Sequence, residues 1–117
     1  MPKKICIIDD DPHIVSYLEE LFADNGYTTC SAADGSGALD IVRAERPDLI
    51  TLDLEMPEEW GPRFYRQLIR EEPLRHIPVI VISGLTGNQY AIQKAVASLT
   101  KPFDRDELLK IVHDVIG

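Results

Sequence analysis

No apolar run in this chain approaches the roughly 20 residues needed to cross a bilayer, which excludes a membrane-spanning helix. The opening Met1-Pro2-Lys3-Lys4 leads into four apolar residues and then three aspartates, so it does not read as a signal peptide. Basic side chains are scarce: 12 Lys and Arg against 20 Asp and Glu leave a formal charge of −8. A surface of that sign repels polyanions, which disfavours direct nucleic-acid binding. There are only two cysteines, Cys6 and Cys30, both in apolar strand-like runs. They read as small buried thiols of a reducing compartment, not as a disulfide framework. The three histidines, His13, His76 and His113, lack metal-ligand spacing, which argues against zinc and places them at the surface. Repeats, linkers and low-complexity stretches are absent. What remains is 117 residues, 44% of them hydrophobic, enough for the core of one domain over 1–117. A cytoplasmic location is the expectation.

Strand-like and helix-like stretches alternate along the chain. Residues 5–8 (ICII) suit a strand buried on both faces. Asp11-Pro12 offers an N-cap with proline at the first helical position, and Asn25-Gly26 ends that helix. A second strand is expected over 27–32, and a second helix capped by Asp34 stops before Pro47. Residues 48–53 form a third strand ending on an acid, and Pro62 starts a third helix after the loop EMPEEWG. The run PVIVI at 78–82 is a fourth strand, followed by a loop and a short helix around 88–95. A fifth strand near 96–100 precedes a last helix capped by Asp104, with Leu108, Leu109, Ile111, Val112, Val115 and Ile116 facing inward. Alternation of this kind implies an α/β fold. A doubly wound parallel sheet of five strands would carry helices on both faces, because parallel neighbours need crossover connections.

Ligands of such sheets bind outside the carboxyl ends of the strands, where the winding switches direction. The residues at those ends are chemically lopsided. Strand one runs into Asp9, Asp10 and Asp11, strand three into Asp53, strand four into Ser83-Gly84, and strand five into Thr100-Lys101-Pro102. Asp11 before Pro12 reads as a simple helix cap. The others would converge on one edge of the sheet. Two like charges 4 Å apart repel by about 4 kcal/mol at an effective dielectric near 20. A hard dication relieves that repulsion, and Mg²⁺ fits because it takes one or two carboxylates and keeps positions open for phosphate oxygens. Lys101 supplies the opposite charge, Ser83 a hydroxyl, and Gly84 leaves the approach open. Such a set suits phosphoryl transfer, with an aspartate as the nucleophile.

These residues resemble the receiver domains of two-component response regulators over essentially the whole chain. The motifs are IIDDDP at 7–12, DLEMP at 53–57 with Gly61 behind it, Ser83-Gly84, and LTKPF at 99–103. The resemblance implies a flavodoxin-like sheet of order 2-1-3-4-5. It also implies Asp53 as phospho-acceptor, and Mg²⁺ held by Asp9, Asp10, Asp53 and the backbone carbonyl of Glu55. Lys101 would contact the phosphoryl group and Ser83 would swing towards it. Glu55 and Leu85 would flank the route of the hydrolytic water and tune the lifetime of the phosphoryl group. The implied donor is a sensor histidine kinase or phosphotransfer protein, and the output is altered binding to a downstream protein. Such a chain is a stoichiometric acceptor, not a turnover enzyme.

The sequence departs from the family pattern at the aromatic switch position three before the lysine, which is Ser98. The Ser83–Lys101 interval is also shorter than the family's by roughly one helical turn, which predicts a shortened fourth helix. Tyr90 is a candidate substitute for the missing ring, and reordering of the 84–94 loop a substitute for the ring flip. These departures fall on the face where many receivers dimerise, so homodimerisation stays open. Trp60 reads as a staple packing the loop onto the third helix. Three alternatives remain. A pseudo-receiver would bind proteins without phosphorylation. A flavodoxin-like electron carrier would have its flavin phosphate repelled by the three aspartates. An aspartyl-phosphate phosphatase would need a second Asp where Asp53-Leu54-Glu55 has glutamate.

Overall fold

The computed structural model describes residues 2–84 and 95–117. Its elements in chain order are β1 (Lys4–Ile8), α1 (Pro12–Asp24), β2 (Thr28–Ala32), α2 (Gly35–Glu45) and β3 (Leu49–Leu52). A single 3₁₀ turn (Pro57–Glu59) follows, then α3 (Trp60–Arg70), β4 (Val79–Ser83), β5 (Ala97–Thr100) and α4 (Arg105–Ile116). The five strands form one parallel sheet of order β2-β1-β3-β4-β5, the order that the resemblance implies. The short helix expected around 88–95, the 84–94 reordering and Tyr90 lie wholly or largely outside the described residues. No helix among the described residues is long and apolar enough to cross a membrane.

Alternate strand residues point to opposite faces, and the sheet uses both. Cys6, Ile8, Ile50, Leu52, Val79 and Val81 face α2 and α3, where they meet Ala38, Val42, Phe64 and Leu68. Ile5, Ile7, Leu49, Ile80, Ile82 and Leu99 face α1 and α4, against Leu18, Phe22, Leu108 and Val112. Every one of these residues is buried. That is why the inner strands β1, β3 and β4 read as largely apolar runs instead of alternating ones.

The helix starts follow from their caps. Asp11 accepts from the His13 amide at the head of α1, Asp34 from the Gly37 amide at α2, and Asp104 from the Asp106 and Glu107 amides at α4. Two expectations are corrected. Helix α3 begins at Trp60, not at Pro62, because the 3₁₀ turn leads directly into it. Pro62 is tolerated there, since the first amides of a helix have no intrahelical acceptor to lose. In α4, Val115 is exposed at 39%, while Ile116 beside it still packs against the core.

Candidate functional site

Parallel pairing puts the strand ends at one level. Ile8 and Leu52 are register partners, and the Asp53 amide donates to the Ile8 carbonyl at 2.9 Å. The Asp9 amide donates to the Ala32 carbonyl at 3.2 Å, and the Lys101 amide to the Ser83 carbonyl at 2.8 Å. Asp9, Asp53, Ser83 and Lys101 are therefore delivered to the same edge by the hydrogen-bond ladder itself. The winding reverses between β1 and β3, so the crevice lies between Asp9 and Asp53.

The carboxylates of Asp9, Asp10 and Asp53 each offer an oxygen, and these atoms lie within 4.8 Å of one another. Asp9 and Asp53 are buried and Asp10 is exposed. Lys101 Nζ lies 3.1 Å from Asp9 Oδ2 and 3.8 Å from Asp53 Oδ2. Asp9 Oδ1 accepts from the Asp11 amide and Asp53 Oδ1 from the Glu55 amide, both at 2.9 Å. Burial, reinforced by the charges of Asp9 and Asp10, pushes the Asp53 carboxyl up to about 6; the Glu55 amide and Lys101 act the other way. Burial of Lys101 opposes its charge, but the hydrogen bond to Asp9 and the charges of Asp53, Asp9 and Glu55 hold its ammonium above its ordinary value. Among the described residues, three acids against one lysine leave net negative charge in a crevice of hard oxygen donors. That donor set fits a magnesium ion, and Asp9, Asp10 and Asp53 are the side chains that could hold it.

The response regulator receiver domain family matches residues 5–113 of this sequence. The chain belongs to that family. Rrf1 of Nitratidesulfovibrio vulgaris is 38% identical over 117 residues, which is 100% of this chain and 85% of that protein. The polar-differentiation response regulator DivK of Brucella anthropi is 31% identical over 121 residues, covering 100% of this chain and 98% of its own. The receiver domain of the sensor histidine kinase PA1611 of Pseudomonas aeruginosa has a crystal structure with a magnesium ion coordinated in its active-site cleft. It superposes with a TM-score of 0.89 at 28% identity, over 100% of this chain and 99% of that one.

Within this receiver the expected residues are distributed as follows. Asp9, Asp10, Asp53 and Lys101 form one cluster, with Ser83 and Gly84 at the adjoining strand end. Ser98 is exposed on β5 as the register partner of Val81. Leu85 lies outside the described residues. Gly61 approaches the crevice from behind: a Cβ there would fall 2.7 Å from the Asp53 carbonyl oxygen and 2.8 Å from Leu54 Cα. Only glycine lets the start of α3 pack that close to the peptide after Asp53. Trp60 packs on the start of α2, where its Cβ occupies the space a Gly35 side chain would need, and Arg63 lies 4.9 Å over its ring. The staple thus joins two helices, whereas the expectation placed it between the loop and α3.

One bonded group escaped the sequence reading. The Glu55 carboxylate accepts from Ser83 Oγ at 3.2 Å and from the Gly84 amide. Glu55 is exposed, yet its carboxylate is bonded to the end of β4. The signal lay in the β3–β4 pairing, which sets the loop after Leu52 beside the end of β4.

Proposed function

We propose that Asp53 accepts a phosphoryl group from a phosphohistidine on a sensor histidine kinase or phosphotransfer protein. Magnesium would be held by Asp9, Asp10, Asp53 and the backbone carbonyl of Glu55. Bound there, the ion supplies positive charge to the oxygens of the group in transfer. The observation that carries the reading is the meeting of three carboxylates from two strand ends with Lys101 from a third.

An Asp53 carboxylate oxygen attacks phosphorus while the P–N bond of the phosphohistidine breaks. The electron pair of that bond passes to the imidazole nitrogen, and Asp53 becomes an acyl phosphate. Lys101 sits where it can offset the added charge, and Ser83 Oγ–H and the Gly84 amide are the donors for phosphoryl oxygens. Attack of water on the acyl phosphate returns the carboxylate and releases phosphate, with Glu55 flanking its route. Residues 1–117 act as one receiver domain in the cytoplasm, a stoichiometric acceptor whose phosphorylated state changes binding to a downstream protein. With Ser98 at the usual aromatic position, that change is read without an inward-turning ring.

Incubation with acetyl phosphate and Mg²⁺ tests the reading by intact mass. A gain of one phosphoryl group that disappears in Asp53→Asn and on chelation of the metal is the expected result. No gain in the wild-type chain overturns it in favour of a phosphorylation-independent binding module.

A further inference from the structure

Two donors at the end of β4 already have an anion on them. Ser83 Oγ and the Gly84 amide both donate to the same oxygen, Glu55 Oε1. A Cβ on Gly84 would sit 2.5 Å from that oxygen, so the carboxylate could keep its present place only against a residue without a side chain. The glutamate is tethered at its other end as well, because its own amide donates to Asp53 Oδ1 at 2.9 Å. Its charge also reaches Lys101. A carboxylate oxygen on a hydroxyl and a backbone amide is an oxyanion in an oxyanion site, one residue pair away from the acceptor.

We propose that the Glu55 carboxylate is an internal ligand of the oxyanion site formed by Ser83 and Gly84, and that it must leave before a phosphoryl group on Asp53 can use these donors. The inference rests on the acceptor reading of Asp53. An incoming dianionic group and the carboxylate cannot share one hydroxyl and one amide, because each oxygen needs the same protons and the two anions repel. Occupancy by Glu55 therefore lowers affinity for any tetrahedral oxyanion or its mimic on Asp53. Removing the carboxylate, or shortening it so that it no longer reaches, raises that affinity. Glu55 is a positioning residue: it holds the β4 end in an anion-bound arrangement while Asp53 is unmodified, and its release reports the modification.

Calorimetric titration with beryllofluoride at saturating Mg²⁺ tests this on the full chain, with Glu55→Gln and Glu55→Asp beside the wild type. Glu55→Gln removes the charge, and Glu55→Asp keeps it but withdraws it by one methylene. Loss of a charge-assisted pair of bonds predicts about tenfold tighter binding in both. The Gly84 amide resonance should move in both variants before any ligand is added, a readout that a purely structural role for Glu55 would not tie to affinity. Wild-type affinity in both variants overturns the proposal. Tightening in Glu55→Gln alone also overturns it, since that pattern is a general field effect. Absence of beryllofluoride binding in every chain, wild type included, overturns the acceptor reading itself and is thereby distinct from those outcomes.

Discussion

Lys101 Nζ and Asp9 Oδ2 lie 3.1 Å apart although 92 residues separate them in the chain. One partner follows β5 and the other β1, with β3 and β4 between them in the sheet. Asp9 is buried and the lysine side chain keeps only 23% of its exposure. Truncation in Lys101→Ala removes the one cation that, among the described residues, faces this crevice of three acids. Loss of one partner of such a pair leaves a desolvated charge uncompensated, which costs about 1–3 kcal/mol. Urea unfolding of the metal-free protein at neutral pH should show that loss, and added Mg²⁺ should recover most of it. Equal stability of the variant and the wild type without metal would contradict the arrangement.

Asp53 carries a pH dependence with a definite sign. Its carboxyl stands at about 6 in the fold against an ordinary value of 3.8, so the folded chain binds this proton more tightly than the unfolded chain. Ionised Asp53 therefore burdens the metal-free fold. The burden is complete above the folded value, shrinks as pH falls through 6, and vanishes below 3.8. Asp53→Asn should raise metal-free stability at pH 7.5 by about 1–3 kcal/mol and leave it nearly unchanged near pH 4. Thermal unfolding at the two pH values checks this. Magnesium should narrow the gap at the higher pH, because it stabilises the wild type more than the variant.

Much of this site is legible in the sequence because parallel pairing leaves little freedom at a strand end. Once residues 5–8, 48–53 and 78–82 are read as buried strands, Asp9, Asp53 and Ser83 must share an edge. The bonds of Glu55 are not legible in that way. They depend on how the loop after β3 directs one side chain, which no apolar periodicity encodes; the 3₁₀ turn that follows likewise holds Glu58 in a left-handed conformation at φ 59°. The start of α3 was misplaced for a related reason: proline is a helix-start signal, but the 3₁₀ turn had already set the backbone two residues earlier. Val115 fits the helical apolar spacing yet is left exposed, whereas Ile116 packs against the core.

Gly61 connects the packing of α3 to the chemistry of the crevice. The methyl group of Gly61→Ala would meet backbone atoms of Asp53 and Leu54, which cannot rotate away as a side chain could. Either α3 or the segment after β3 must shift. Overpacking of this kind costs about 1–3 kcal/mol. The shift also moves the peptide that carries Asp53, so Mg²⁺ affinity should fall together with the unfolding midpoint. A variant that melts lower while binding Mg²⁺ unchanged would show that the strain is absorbed entirely by the helix.

Cys6 and Cys30 are register partners on neighbouring parallel strands, and both are free thiols. Their environments divide them. The hydrogen bond between them raises Cys6, and burial adds to the effect, so that thiol stays protonated. The same bond favours the thiolate of Cys30 and, with a smaller contribution from Lys4, brings it below the ordinary value of 9.0 despite burial and the charge of Glu45. Cys6 is fully buried and Cys30 is half-buried on the second strand. Thiolate is the reactive form, so a native-state alkylating reagent should modify one cysteine quickly, and Cys30→Ser should abolish that event. Cys6→Ala removes the donor and should move the midpoint of the alkylation pH profile upwards. Peptide mapping that finds Cys6 labelled first in the folded chain would reverse the assignment of donor and acceptor in the pair.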